Sequence, residues 1–293
     1  MRDQVEALRR IPGVEVEVFA FGGTGGPTSY LRAARELRRR HGPERFDVVH
    51  AQFGLSTWPA LMARGQKRAV TLHGTDLAHP RSRKLTLAAL PFLDLVAAVS
   101  EPLLGTVPRW AVRRATTAVL PAGVDLGRFK PIAREEARAA LGLEPRLPYV
   151  LFPADPRRAE KRYDRAREVA GDTELLTLVN VDPSEVPLWV NAANAVLVPS
   201  DREGFGLAVL EALACDVPVL ATPVGIAPAA IDGVNGALCQ PFDPHSWRTA
   251  LEPHLVSGDA RVAGRASAER FATDRMAARV VAAWREITGT DGA

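Results

Sequence analysis

SDREGFGLAVLEALA, residues 200–214, decides the reading of this chain. It follows an apolar run, AVLVP at 195–199, with the length and β-branched content of a buried strand, and it leads into residues with helical periodicity. A strand, a glycine turn and a helix in that order put the turn at the carboxyl end of a strand, where open parallel sheets take their ligands. Gly204 and Gly206 let the backbone approach a bound group closely. The first amides of the helix, near Gly206–Ala208, have no carbonyl of their own helix to donate to and suit a phosphate. Glu203 before the helix and Glu211 in its second turn can accept hydrogen bonds from sugar or ribose hydroxyls. An isolated glutamate in either place is usually a solvated charge, but the glycines around this pair favour polyol recognition.

Outward from this stretch, short apolar runs alternate with helical segments, the rhythm of βα units and a parallel sheet. One series has predicted strands at 149–152, 175–179, 195–199, 217–221 and 236–239; an earlier one has them at 14–20, 46–51, 68–73, 94–99 and 116–120. Helical periodicity falls between them, as at 30–40. PAGVDLGRFKP, residues 121–131, carries two prolines and two glycines and precedes a helix at 134–141, so the domain junction is placed there. The predicted fold is α/β with two Rossmann-like domains, 1–121 and 122–273. A terminal helix at 274–293 has Met276, Val280, Ala283 and Trp284 on one face and should pack back toward the N-terminal domain.

Composition narrows the function classes. The chain has 293 residues, 47% hydrophobic and 24% charged, which suits two modest folded domains. Its two cysteines, Cys215 and Cys239, form no CxxC pair, which argues against a disulfide framework or a zinc site. No apolar run approaches the roughly 18 residues of a membrane span, and MRDQVEALRR lacks a signal peptide's apolar core, so a cytoplasmic location is expected. The net charge is +3, and of 37 Lys and Arg only Lys67, Lys84, Lys130 and Lys161 are lysine. Dispersed charge of both signs is no nucleic-acid footprint. The basic stretches 35–40 and 81–84 could meet acidic lipid headgroups in a weak peripheral membrane contact, although a charge run is more often a solvated face. GGTGG at 22–26 fits neither G-x-G-x-x-G nor the Walker pattern and reads as an ordinary loop.

Glu203 and Glu211 together resemble the E-x7-E motif of family 4 glycosyltransferases, which have the GT-B fold, two Rossmann-like domains facing a cleft. CDVPVLATPVGIAPAAIDGVNGALCQPFDP, PAGVDLGRFKP and VPLWVNAANAVLVPSDREGFG are similar to that family's sequences. The resemblance implies transfer of a hexose-like sugar from a UDP- or GDP-sugar to an unidentified acceptor, with retention of configuration and with neither metal nor cofactor. It makes Glu203, with the Phe205 and Gly206 backbone, the partner of donor-sugar hydroxyls and Glu211 the partner of the ribose. Lys161, in RRAEKRYD, matches the lysine that neutralises the leaving diphosphate. The arginine beside that lysine is less clear: Asp155-Pro-Arg157-Arg158 departs from the family's Gly-Arg pattern, leaving Arg157 and Arg158 as candidates. The chemistry needs such cations in any case, because cleaving a sugar–phosphate bond builds negative charge on the departing diphosphate. His73, in TLHGTD, resembles the strand-end histidine that contacts the transferred sugar, whereas a lone histidine is otherwise as often structural.

Family members begin with a strand and a glycine-rich loop, whereas this chain starts within what reads as the following helix, 3–10. An N-terminal domain truncated by its first strand is therefore expected, as is greater stability and activity in a version extended upstream. Two alternatives remain: a non-catalytic nucleotide-sugar-binding protein, and a sugar-nucleotide epimerase or hydrolase on the same scaffold.

Overall fold

The alternation of apolar runs and helices is realised as two parallel sheets in a computed structural model that describes residues 2–22, 26–256 and 258–290. Residues 23–25 of the GGTGG stretch lie outside the described residues. The chain divides into two compact units, Met1–Ala122 with Asp274–Ala293, and Gly123–Thr273.

In the first unit, β1 (Phe46–Gln52), β2 (Gly65–Leu72), β3 (Leu95–Ala98) and β4 (Thr116–Val119) lie side by side in that order, all parallel. Side chains alternate across a strand, so a sheet covered on both faces buries both parities. Ala69, Leu95 and Ala97 pack against Ala7 and Leu8 of the first helix and Met276, Ala277 and Val280 of the helix Thr273–Thr288. Val70, Leu72, Val96 and Ala98 face Leu77, Leu90, Val107 and Ala111 on the other side. The helix Thr273–Thr288 also docks by a polar contact. Its Trp284 Nε1–H donates to His50 Nδ1 at 2.9 Å, which leaves the His50 proton on Nε2, 2.9 Å from Thr71 Oγ1.

The strand predicted at 14–20 does not form. Those residues are in neither helix nor sheet, and β1 is the edge of the ladder. The Arg9 guanidinium donates to the Val16 carbonyl at 3.1 Å, a group a ladder would need, while Val14 and Val16 pack on the core beside Leu8. Apolar alternation was enough to suggest a strand, but a strand also needs a neighbour to pair with.

In the second unit, β5 (Tyr149–Phe152), β6 (Glu174–Thr177), β7 (Ala195–Val198), β8 (Val219–Ala221) and β9 (Leu238–Cys239) form a parallel sheet in the order β6-β5-β7-β8-β9. Val150, Phe152, Ala195, Leu197 and Leu220 pack against Ala166, Val169, Trp247 and Leu251. Residues 123–131 of the predicted junction are bound into this unit: Arg265 donates to the carbonyls of Leu126, Phe129 and Ala214, and Val124 bridges to Ala272.

Two consequences follow for stability. Trp247 is fully buried, so Trp247→Ala should cost about 3–5 kcal/mol in denaturant unfolding of the second unit; a loss below about 1 kcal/mol would contradict this packing. Burial lowers the pKa of His50 from 6.5 to about 4, with the neighbouring His73 adding to the effect. Below pH 6.5 the unfolded chain takes the proton first, so stability falls as pH drops from 6.5 toward 4, by on the order of 3 kcal/mol. A His50→Gln variant should lose that slope, and parallel wild-type and variant stability curves across this window would refute the assignment.

Candidate active site

The second sheet reverses its direction of growth between β5 and β7: β6 is added on one side of β5, and β7, β8 and β9 on the other. The connections leaving neighbouring strands therefore diverge, and a crevice opens at the carboxyl ends of β5 and β7. The loop after β5 ends in a 3-10 turn, Ala159–Lys161, and the loop after β7 runs from Pro199 to Gly206. A main-chain hydrogen bond from Asp201 N to Glu160 O, 2.9 Å, ties the two loops together.

Across this junction Lys161 Nζ lies 2.6 Å from Glu203 Oε2, with only 16% and 8% of the two side chains exposed. Ser200 Oγ donates to the other carboxylate oxygen, Oε1, at 2.7 Å, and the Ser200 carbonyl accepts from Thr222 Oγ1 at 2.5 Å. Both oxygens of Glu203 are thus held by partners from separate loops. A charge so far from water persists only when paired and hydrogen-bonded in this way.

The turn that follows is built from glycine for steric reasons. Gly206, at φ 99, precedes the helix Leu207–Ala214 in a conformation that side chains disfavour. A Cβ on Gly225, at φ 60, would collide with the Phe205 carbonyl and approach Glu203 Cβ to 2.8 Å. This closeness lets Ile226 N donate to Phe205 O at 2.7 Å, pinning the glycine turn from the loop after β8. Phe205 is buried, Gly204 half-buried and Leu207 exposed; Glu211 stands half-buried in the second turn of the helix.

The two arginine candidates are engaged elsewhere. Arg157 forms a bidentate pair with Asp155, 2.6 Å at its shortest, and Arg158 pairs with Glu160 at 2.7 Å. Both carboxylates are held below their usual range, Asp155 chiefly by the Arg157 guanidinium and Glu160 by its own backbone N–H and then by Arg158. Two arginines that the sequence reading did not name, Arg162 and Arg165, converge on Asp201 at 3.2 and 2.8 Å. Nothing local marked them, because Asp201 lies far along the chain.

In the first unit His73 directly follows β2 at the carboxyl edge of its sheet. Asp76, fully buried, accepts from the backbone N–H of Gly54, His73 and Gly74, joining the exits of β1 and β2. The His73 ring meets Gln52 Oε1 through Nε2 at 3.1 Å, and burial lowers its pKa, with the Asp76 carboxylate opposing. Gln52 and Ser200 were both missed from sequence. Their only signal was a polar residue at a strand's carboxyl end.

Comparisons with known proteins agree with this architecture. The chain matches the family model Glycosyltransferase Family 4 over residues 1–128 and Glycosyl transferases group 1 over residues 146–255. It is 31% identical to a D-inositol 3-phosphate glycosyltransferase of Mycobacterium sp. (strain KMS), over 91% of this chain and 74% of that protein. It is 29% identical to one of Actinosynnema mirum, over 84% and 73%. A third such relative, of Mycolicibacterium gilvum, is covered over 64% of its length. Among solved structures it resembles a sucrose-phosphate synthase from Thermosynechococcus elongatus, with a TM-score of 0.69 and 22% identity over 96% of this chain and 82% of that one. It also resembles a UDP-forming α,α-trehalose-phosphate synthase from Burkholderia vietnamiensis, with a TM-score of 0.66 and 15% identity over 91% and 76%. At these identities the structural likeness is one of fold. With two parallel-sheet units, both family models and these relatives, the chain belongs to the group 1 glycosyl transferases, family 4, of the GT-B fold.

Proposed function

We propose that this glycosyltransferase takes a hexose-like sugar from a UDP- or GDP-linked donor and passes it to its acceptor with retention of configuration and without a metal. The observation that carries this reading is the Lys161–Glu203 pair at the switch point of the second sheet. Breaking the sugar–phosphate bond places negative charge on the departing diphosphate, and a fixed ammonium in a water-poor site stabilises it more than water does. Lys161 supplies that cation, and the first amides of the helix Leu207–Ala214 add donors to the phosphates. Glu203, oriented by Ser200 and Lys161, accepts from donor-sugar hydroxyls, and Glu211 from the ribose. Arg157 and Arg158 assist only by exchanging Asp155 and Glu160 for phosphate oxygens. His73 contacts the transferred sugar. The names of the relatives make D-inositol 3-phosphate the first acceptor to assay.

Glu203→Ala and Lys161→Ala should each lower transfer by at least about 100-fold, the scale of losing one fixed charge stabiliser. Each also strands a buried charge and should cost about 3 kcal/mol of stability. The paired replacement Lys161→Met with Glu203→Gln removes both charges, and should recover stability but not transfer. Transfer at the wild-type rate by the paired variant would sink the assignment. UDP, GDP and ADP compared by thermal shift should single out one base, stabilising by about 2.7 kcal/mol at 100 times Kd. A chain that none of them stabilises would contradict the donor class.

A further inference from the structure

In a parallel sheet all strands start at one edge, so residues just before β1, β2, β3 and β4 share a rim opposite the carboxyl ends where His73 lies. In the first unit that rim carries Arg45 before β1, Met62 and Arg64 before β2, Phe92 before β3, and Arg113 and Arg114 before β4. The turn Leu90–Phe92 packs against the turn Arg109–Val112, which brings Trp110 to the same end. Phe92 is 61% exposed, Trp110 57% and Met62 44%. Large apolar side chains this exposed along one edge of a sheet mark an interaction surface.

The charge of the rim selects its partner. The rim's acidic residues Glu44 and Asp94 pair with His41 and Lys67, while among the described residues Arg45, Arg64, Arg113 and Arg114 have no ion-pair partner. A cavity of about 550 Å³ opens between the starts of β1 and β2, with Arg45, Arg64 and Arg68 in its wall and no acidic side chain. The Nε of Arg68 is buried and lacks an acceptor. The basic helix Pro27–His41 differs, since Arg39 and Arg40 both spend their charge on Glu36. No helix among the described residues is long and apolar enough to cross a membrane.

We propose that this rim docks on an acidic bilayer surface: its arginines take lipid phosphates, while Met62, Phe92 and Trp110 seat among the headgroups. Aromatic rings favour that boundary, and arginines near an anionic leaflet add roughly fivefold each in partitioning, about 1 kcal/mol. A nucleic acid would satisfy the arginines but leave this apolar row without a partner of its own kind.

The test is flotation of the full chain with vesicles of phosphatidylcholine alone or with about 30% phosphatidylglycerol, the anionic lipid that supplies the surface potential. Wild type should float with the acidic vesicles and not with the neutral ones. Arg64→Ala/Arg113→Ala/Arg114→Ala should weaken binding by about 100-fold, three such contributions. Phe92→Ser/Trp110→Ser should weaken it by about tenfold at a salt concentration that screens the arginines. Arg39→Ala/Arg40→Ala, on the helix where Glu36 already takes their charge, should bind like wild type, and all variants should melt within about 2 °C of it. Equal binding to neutral vesicles, loss of binding in the helix variant instead of the rim variants, or capture of a DNA duplex with no vesicle binding would each overturn the proposal.

Discussion

The ion pair between Lys161 and Glu203 depends on a topological constraint. A parallel sheet that grows in both directions from a central strand must send its neighbouring connections apart, and only at that point do two strand exits face a shared crevice. The chain places a cation at the end of one exit and a carboxylate in the other, 2.6 Å apart. Much around this contact serves to hold it: the Asp201-to-Glu160 hydrogen bond, Ser200 on the second carboxylate oxygen, and the tight approach of Gly225 beneath the turn. Mutual neutralisation makes the pair tolerable in a nearly dry site. The same burial strengthens its field, because fixed charges act most strongly where water is excluded.

The first unit uses the carboxyl edge of its sheet differently. Asp76 gathers three backbone amides, so the exits of β1 and β2 are fixed by one buried carboxylate. His50 and His73 are both kept toward the neutral form by burial, and each ring is oriented by a neutral partner, Thr71 and Trp284 for one and Gln52 for the other. Neutral imidazoles suit hydrogen bonding to hydroxyls better than holding a diphosphate. At the opposite edge of the first sheet Arg45, Arg64, Arg113 and Arg114 are unpaired among the described residues and Phe92 and Trp110 are exposed, so the two rims of one sheet carry different chemistry.

Strand and helix identity were largely legible wherever local pattern and tertiary demand agreed. The runs at 149–152 and 195–199 became central strands because apolar residues buried on both faces have no other stable arrangement. The run at 14–20 alternates valine with glutamate over 14–18 and forms no strand, because Arg9 takes the Val16 carbonyl and no strand among the described residues pairs with it. Among the cations, Lys161 was legible through its motif. Arg162 and Arg165 were not, since their common partner Asp201 is more than thirty residues away in sequence.

The sequence by itself determined the order of βα units, the glycine turn at Gly206 and the helix that follows it, because periodicity and backbone freedom are properties of neighbouring residues. It also carried the family likeness, which rests on short contiguous motifs. Only the tertiary structure decided what those residues meet: Lys161 with Glu203 across 42 positions and Trp284 with His50 across 234. Such contacts are fixed by strand order and by which backbone groups find partners. Neither is encoded within the reach of a motif, so the chemistry of the site emerges only when distant loops are brought to one edge of a sheet.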